Sequence, residues 1–238
     1  MDEGLLDGDI EVALDALDPR FRTVVLLIDL NGLTYAEAAE LAHFGAKVLH
    51  PRTMRPLMRP GVPLRIKNTM RPESPGTEIG PAAPDAAPAI RAVTAIRGAA
   101  LVRVEGASVL EVPDLMHRIF GPLAEAGVPV SLVAQASAEG SVGLAVRGAE
   151  AGAVVALLER ALAREIERGD VECVTAEPAC AVVAAVGSGL HDASGLAGLF
   201  FDTLAHAHVN VRALAQGGGD HTVSAVVADA EADAAVRA

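Results

Sequence analysis

The sequence predicts an α/β (α+β) chain in which two tandem, related modules of βαββαβ order follow a small helical segment. Three observations carry this expectation. One stretch occurs twice: residues 101–146 and 182–227 align without a gap at a constant offset of 81, with identities that include Val102/Val183, Leu115/Leu196, Phe120/Phe201, Leu123/Leu204, Val130/Val211, Gln135/Gln216 and Val146/Val227. Two copies of this length argue a duplicated small domain, because a solenoid needs at least three repeats to bury its core. Within each copy, short apolar runs flank one stretch with helical periodicity. The composition, 51% apolar with 3% aromatic and no Trp, is ample for a core made of Ala, Val and Leu.

In chain order, residues 9–30 have helical spacing, with Ile10, Ala13, Leu14 and Leu17 on one face. Asp18-Pro19 reads as an N-cap with proline in the first turn of a second helix through Val24, Leu27 and Ile28, which Asn31-Gly32 ends. Thr34 caps a third helix, with Glu37 three residues on to complete a capping box. Gly45 ends that helix after His43, and Pro51 opens another toward Met58. Pro63–Lys67 is a short strand, followed by a loop holding Pro72, Pro75 and Gly76. Residues 80–90 are a Pro/Ala linker, and Ala92–Ile96 is a short strand. The first copy then reads as strand Leu101–Val104, helix Glu111–Ala126 with Leu115, Ile119 and Leu123 facing inward, and strands Val128–Ala134 and Ser141–Val146. Helix Ala151–Arg168 and strand Val171–Thr175 follow. The second copy reads as strand Ala181–Val186, helix Ser194–His206, and strands Val209–Ala215 and Thr222–Val227.

Charge narrows the class of partner. The net charge of −12 disfavours nonspecific binding to nucleic acid or to an anionic membrane. It is uneven: residues 1–40 carry ten acids and two arginines, whereas residues 41–72 carry seven Lys/Arg and no acid. No signal-peptide pattern and no run of 18 apolar residues is present, so the chain is expected to be cytoplasmic, with no membrane partner. Cys173 and Cys180 are too few for a disulfide framework and read as reduced packing residues. The seven histidines form no ligand spacing, so no metal is expected, and Gly217-Gly218-Gly219 reads as a turn between strands.

The βαββαβ order with a strand-end glutamine in each copy resembles the ACT domain, a ferredoxin-like amino-acid-sensing module. YAEAAELAHFGAKVLHPRT (35–53) and IKNTMRPESPGTEI (66–79) resemble the end of the catalytic domain of aspartate kinases. VNVRALAQGGGDHTVSAVV (209–227) is most similar to the form fused to homoserine dehydrogenase. Residues 9–41 resemble region four of the extracytoplasmic-function sigma factors, but the basic recognition helix of that family is replaced by HFGAKVLHPRT. The resulting division is a sigma-like helical segment (1–33), a kinase-domain remnant (34–80), a linker (81–91) and two ACT-like modules (92–176 and 177–238). Strand 92–96 is expected to interleave into the second module.

The resemblance implies the regulatory portion of an aspartate kinase, with threonine, or lysine, as feedback effector. Gln135 and Gln216, with Ala134 and Ala215 beside them, are the implied effector-binding positions, since an amide offers both a donor and an acceptor. Asp114 and Ser194 stand at the starts of helices whose free N–H groups suit a carboxylate. Lys47 resembles the family's lysine near the nucleotide. The family's opening Lys-Phe-Gly-Gly motif is absent, so the resemblance implies no complete catalytic set here and no cofactor bound by this chain. ATP and Mg belong to the intact family enzyme, and a homodimer through the ACT-like sheets is implied. Two other readings stand beside this one: an amino-acid-responsive transcription regulator, with nucleic-acid binding disfavoured by the acidic N-terminus, and a non-functional fusion fragment.

Overall fold

The computed structural model describes residues 26–27, 33–45, 49–81, 89–106, 112–136, 140–216 and 221–238. Two 18-residue strands, β5 (Ala89–Gly106) and β8 (Val171–Ser188), run antiparallel through the centre of the protein. Each was expected as two separate short strands, Ala92–Ile96 with Leu101–Val104 and Val171–Thr175 with Ala181–Val186. They are continuous because the residues between do not break pairing but bend it. The register shifts between Ile96 and Leu101, where Gly98 adopts φ 67° opposite a bend in β8 at Ala179, φ 53°. Such bulges kink a strand and raise its twist without ending it.

The bend divides the sheet. Beyond it, Leu101–Gly106 pairs with β8 residues Glu177–Val171 on one side and β7 (Ser141–Arg147) on the other, with β6 (Leu132–Ala136) outermost. Before it, Ile90–Ile96 pairs with Gly187–Val182, and β10 (Thr222–Ala228) and β9 (Ala213–Gln216) complete that half. The sheet order is β6-β7-β5-β8-β10-β9. The strand that precedes the first copy in sequence is thus hydrogen-bonded to the second. The open outer edge of this β5 half pairs with β1 (Leu26–Leu27), which the periodicity had placed inside a helix. An unpaired sheet edge is a row of free donors and acceptors, and that outweighs the helical spacing of two residues.

Small structures in residues 33–81 follow their local signals. Strand β2 (Leu33–Thr34) runs parallel to β4 (Thr77–Gly80), which pairs antiparallel with β3 (Leu64–Ile66). Helix α1 (Tyr35–His43) has the expected capping box, with the Glu37 N–H donating to Thr34 Oγ1 at 3.1 Å and the Thr34 N–H to Glu37 Oε2 at 2.7 Å. Helix α2 (Pro51–Met58) starts at its proline. Leu33, Tyr35, Ala38, Leu41, Met54 and Ile79 form one apolar cluster that also takes in Ala92 of β5 and Val186 of β8, so this segment docks on the second half of the sheet. Gly76 (φ 73°) lies so close to β3 that a Cβ would stand 2.3 Å from the Ile66 carbonyl oxygen. Gly76→Ala is therefore expected to cost about 2–4 kcal/mol, from strain plus the clash, as a lowered urea midpoint at unchanged m-value.

Helices cover one face of each half. Leu115, Ile119 and Leu123 of α3 (Val112–Glu125), with Val154 and Leu158 of α4 (Ala151–Ala161), pack on Val102, Val104, Val142 and Leu144. The helix expected over 151–168 is broken at Leu162, and α5 (Ala163–Arg168) follows. In the second half, Phe200 and Leu204 of α6 (Leu196–His206), with Ala235 and Val236 of α7 (Ala232–Arg237), pack on Val183, Ala185, Val223 and Ala225. The opposite sheet faces meet each other: Leu101, Leu132 and Ala145 share one cluster with Cys180, Val182, Ala184 and Val226. Both α3 and α6 end in the same way, with the residue after a left-handed Gly127 or His208 donating back to Leu123 or Leu204, a Schellman closure. Pro129 cannot donate to a ladder, and β6 starts only at Leu132 rather than Val128. Its counterpart β9 starts at Ala213 rather than Val209. Among the described residues no helix is long and apolar enough to cross a membrane.

Candidate effector site

The duplicated glutamines occupy equivalent places in the two ladders. Gln135 pairs with Val142 across β6 and β7, and Gln216 pairs with Val223 across β9 and β10, so the offset of 81 holds on both strands. Both side chains are exposed, and both strands are sheet edges. Ala134 and Ala215 precede them, partly buried against the cluster between the sheet faces. At the next rung the copies differ. Ser224 Oγ donates to the Ala215 carbonyl at 3.1 Å, whereas its counterpart is Gly143, where a Cβ would meet Leu101 Cδ1 at 3.3 Å. In the first copy the Leu101 side chain takes the place that the Ser224 side chain has in the second.

Gly143 and Leu101 lie in the wall of an open groove of about 1000 Å³. Its walls are Ala134–Ala136 of β6, Ser141–Gly143 of β7, Leu101, Arg103 and Glu105 of β5, Glu172 of β8, and Arg212–Leu214 leading into β9. Edge strands β6 and β9 approach each other here. The charges are arranged around Glu177, which is paired with Arg103 at 2.8 Å and with Arg212. Glu105 Oε2 lies 3.7 Å from Cys173 Sγ. Burial, then the Glu105 carboxylate, push the Cys173 thiol above its ordinary range. Cys180 is raised mainly by burial; both cysteines are free thiols.

Of the other sequence-level candidates, Asp114 is exposed on the first turn of α3. It lines a separate outer groove with His117, Arg118 and Glu125 rather than the one holding Gln135. Ser194 is exposed in the turn before α6; the N-cap position there is Gly195, φ 94°, with no side-chain cap. Lys47 and the loop around residues 107–111 lie outside the described residues, as do residues 217–220. His206 Nδ1 lies 2.8 Å from the Asp202 carbonyl of its own helix, the local contact expected of a helix-end histidine. Among the described residues, no cluster of His, Cys, Asp and Glu has the arrangement of a metal site. Sequence reasoning missed Arg103, Arg212, Glu105 and Glu177. The one available signal was Arg103, a lone cation inside the apolar run LVRV.

The second half is also tied to α1. Ser188 Oγ, where β8 runs out toward the turn before α6, donates to the buried Glu37 at 2.5 Å, and Thr222 Oγ1 donates to Glu40 at 2.8 Å. Buried Thr94 donates to the Phe44 carbonyl at 3.2 Å.

Residues 102–162 and 183–238 match the family model of the ACT domain, and residues 7–43 match that of sigma-70 region 4. With the two sheet-and-helix halves, this defines a mixed α/β chain carrying tandem ACT-like modules. The chain resembles the ACT-domain-containing region of bifunctional aspartokinase/homoserine dehydrogenases, in the aspartate kinase superfamily. The Haemophilus influenzae bifunctional enzyme is 34% identical over 209 residues, covering 88% of this chain and 26% of that protein. The chain spans about a quarter of the length of these bifunctional relatives. Escherichia coli aspartokinase III is 28% identical over 87% of this chain. Its structures with aspartate and ADP (R-state) and with lysine and aspartate (T-state) superpose with TM-scores of 0.69 and 0.66, over 45% and 44% of those chains. Clostridium acetobutylicum aspartate kinase, at 23% identity, shares the fold with a TM-score of 0.73 over 87% of this chain and 46% of that one.

Proposed function

We propose that the chain is the sensing portion of an aspartate-kinase-type enzyme and binds threonine, or lysine, as a feedback effector through Gln135 and Gln216. The observation that supports this best is the repetition of one identical polar residue, glutamine, at register-equivalent places in the two ladders. A shared core explains the conserved spacing of the valines and leucines but gives no reason for an exposed amide at both strand ends. An amide can meet a hydroxyl or a carboxylate with one donor and one acceptor. Residues 34–80 are then the end of a kinase domain, and 92–176 with 177–238 are the two sensing modules. Phosphoryl transfer with ATP and Mg would belong to parts of the enzyme other than these. Edge strands β6 and β9 expose Val133 and Leu214, which suits sheet-to-sheet pairing of two copies.

Thermal denaturation with each aspartate-family amino acid tests this reading. An effector at about 100 times its Kd stabilises by about 2.7 kcal/mol. The shift is expected with threonine or lysine, and its absence in Gln135→Ala plus Gln216→Ala. No shift with any of them, or an undiminished shift in the double variant, contradicts the reading. The match over residues 7–43 favours a second one, a DNA-binding N-terminus under the same sensing control. A salt-dependent gel shift on promoter DNA would establish it, and the excess of acid in residues 1–40 opposes it.

A further inference from the structure

The charged groove is not part of the duplication. At the offset of 81, Arg103 stands against Ala184, Glu105 against Val186 and Arg212 against Ser131. Each copy has charge where the other has none: Arg103 and Glu105 in the first, Arg212 in the second, with Glu172 and Glu177 on the stretch between them. The cations come from both sides of the bend, Arg103 on β5 and Arg212 just before β9, and both are paired with the one carboxylate of Glu177. Both pairs remain partly open to solvent, with side-chain exposures of 36% for Arg103 and 29% for Arg212. Each guanidinium has five donors, so one carboxylate does not exhaust the two.

Two arginines on one carboxylate are the arrangement that would read the carboxylate of a small ligand. Glu105 lies two residues from Arg103 on the same strand, hence on the same face about 7 Å away. A groove with a paired cation end and an acid end at that spacing complements a zwitterion. We propose that Arg103 and Arg212 hold the carboxylate of a free α-amino acid in this groove, that Glu105 and Glu172 face its ammonium, and that Glu177 is an internal competitor occupying the arginines when the ligand is absent. The proposal rests on the amino-acid-sensing reading for its ligand class. Glu177 precedes Pro178 and the left-handed Ala179 at the bend of β8, so ligand that displaces Glu177 frees the joint between the two halves of the sheet.

Isothermal titration of the full chain tests this with L-threonine, L-lysine and their carboxamides, for wild type, Glu177→Gln, Arg212→Gln and Gln135→Ala, with unfolding midpoints confirming that each variant folds. Glu177→Gln is expected to bind the free acid roughly tenfold tighter and Arg212→Gln roughly tenfold weaker, the scale of one charge-assisted hydrogen bond. The carboxamides are expected to bind wild type weakly and to gain nothing from Glu177→Gln. The carboxamide comparison needs no variant and stands even if a charge variant fails to fold. Loss of binding in Gln135→Ala with unchanged affinity in both charge variants overturns this inference and leaves the sensing reading intact. Binding of the acid by Glu177→Gln but not by wild type supports the inference and overturns sensing by the native chain. No binding by either, or equal tightening of acid and carboxamide, overturns the inference.

Discussion

Leu144→Ala is expected to lower the free energy of unfolding by about 3 kcal/mol, within the range of about 2–5 kcal/mol for burying a smaller side chain in a closed core. Leu144 is fully buried in the middle of β7, packed with residues of α3 and α4. Its truncation removes methyl and methylene contacts on every side. The buried core here is mainly Ala, Val and Leu, and its one aromatic neighbour, Phe120, packs only at the partly exposed margin. At this chain length the fall in Tm is on the order of 10 °C. The manner of the loss matters as much as its size. β5 and β8 each run through both halves, so the halves share two strands rather than a flexible joint. A single calorimetric transition moving as a whole is the expected outcome. A split into two transitions, with only the first displaced, would show that the halves unfold independently.

Glu37→Ala is expected to cost about 2–4 kcal/mol, more than a surface capping residue usually contributes. Glu37 is 1% exposed, and its two carboxylate oxygens have different partners. One closes the capping box with the Thr34 N–H, and the other accepts from Ser188 across the interface with β8. Alanine would leave both donors without their acceptor in a buried setting. Glu37→Gln keeps one oxygen and is expected to lose about half as much. The same substitution should loosen the turn after Ser188, seen as faster amide exchange over residues 189–195. Lost stability with no change in exchange there would confine Glu37 to capping and remove it from any link between α1 and the second half.

The features legible in the sequence were those set by neighbours in the chain. Thr34 and Glu37 are three residues apart, and their box forms as the spacing dictates. Leu115, Ile119 and Leu123 face the core because a helix puts them on one side. The repeat foretold that Gln135 and Gln216 would hold equivalent places, since a ladder register is inherited with its pattern. What could not be read depended on partners far away. Leu26–Leu27 changed state because an edge of β5 was free to pair. The two short strands expected on either side of Gly98 joined because β8 offered a continuous partner with its own bend at Ala179. Arg103, Glu177 and Arg212 come together from positions separated by 74 and 35 residues. No local pattern links them; only the pairing of Leu101 with Glu177 and the approach of β6 to β9 does.

Whether the two glutamines are working ligand contacts is answered directly by calorimetric stoichiometry. Titrated with threonine, and separately with lysine, the chain is expected to take up one of them at two sites. Gln135→Ala should remove one site and Gln216→Ala the other. Uptake of neither amino acid, or full stoichiometry retained in both glutamine variants, would contradict the account.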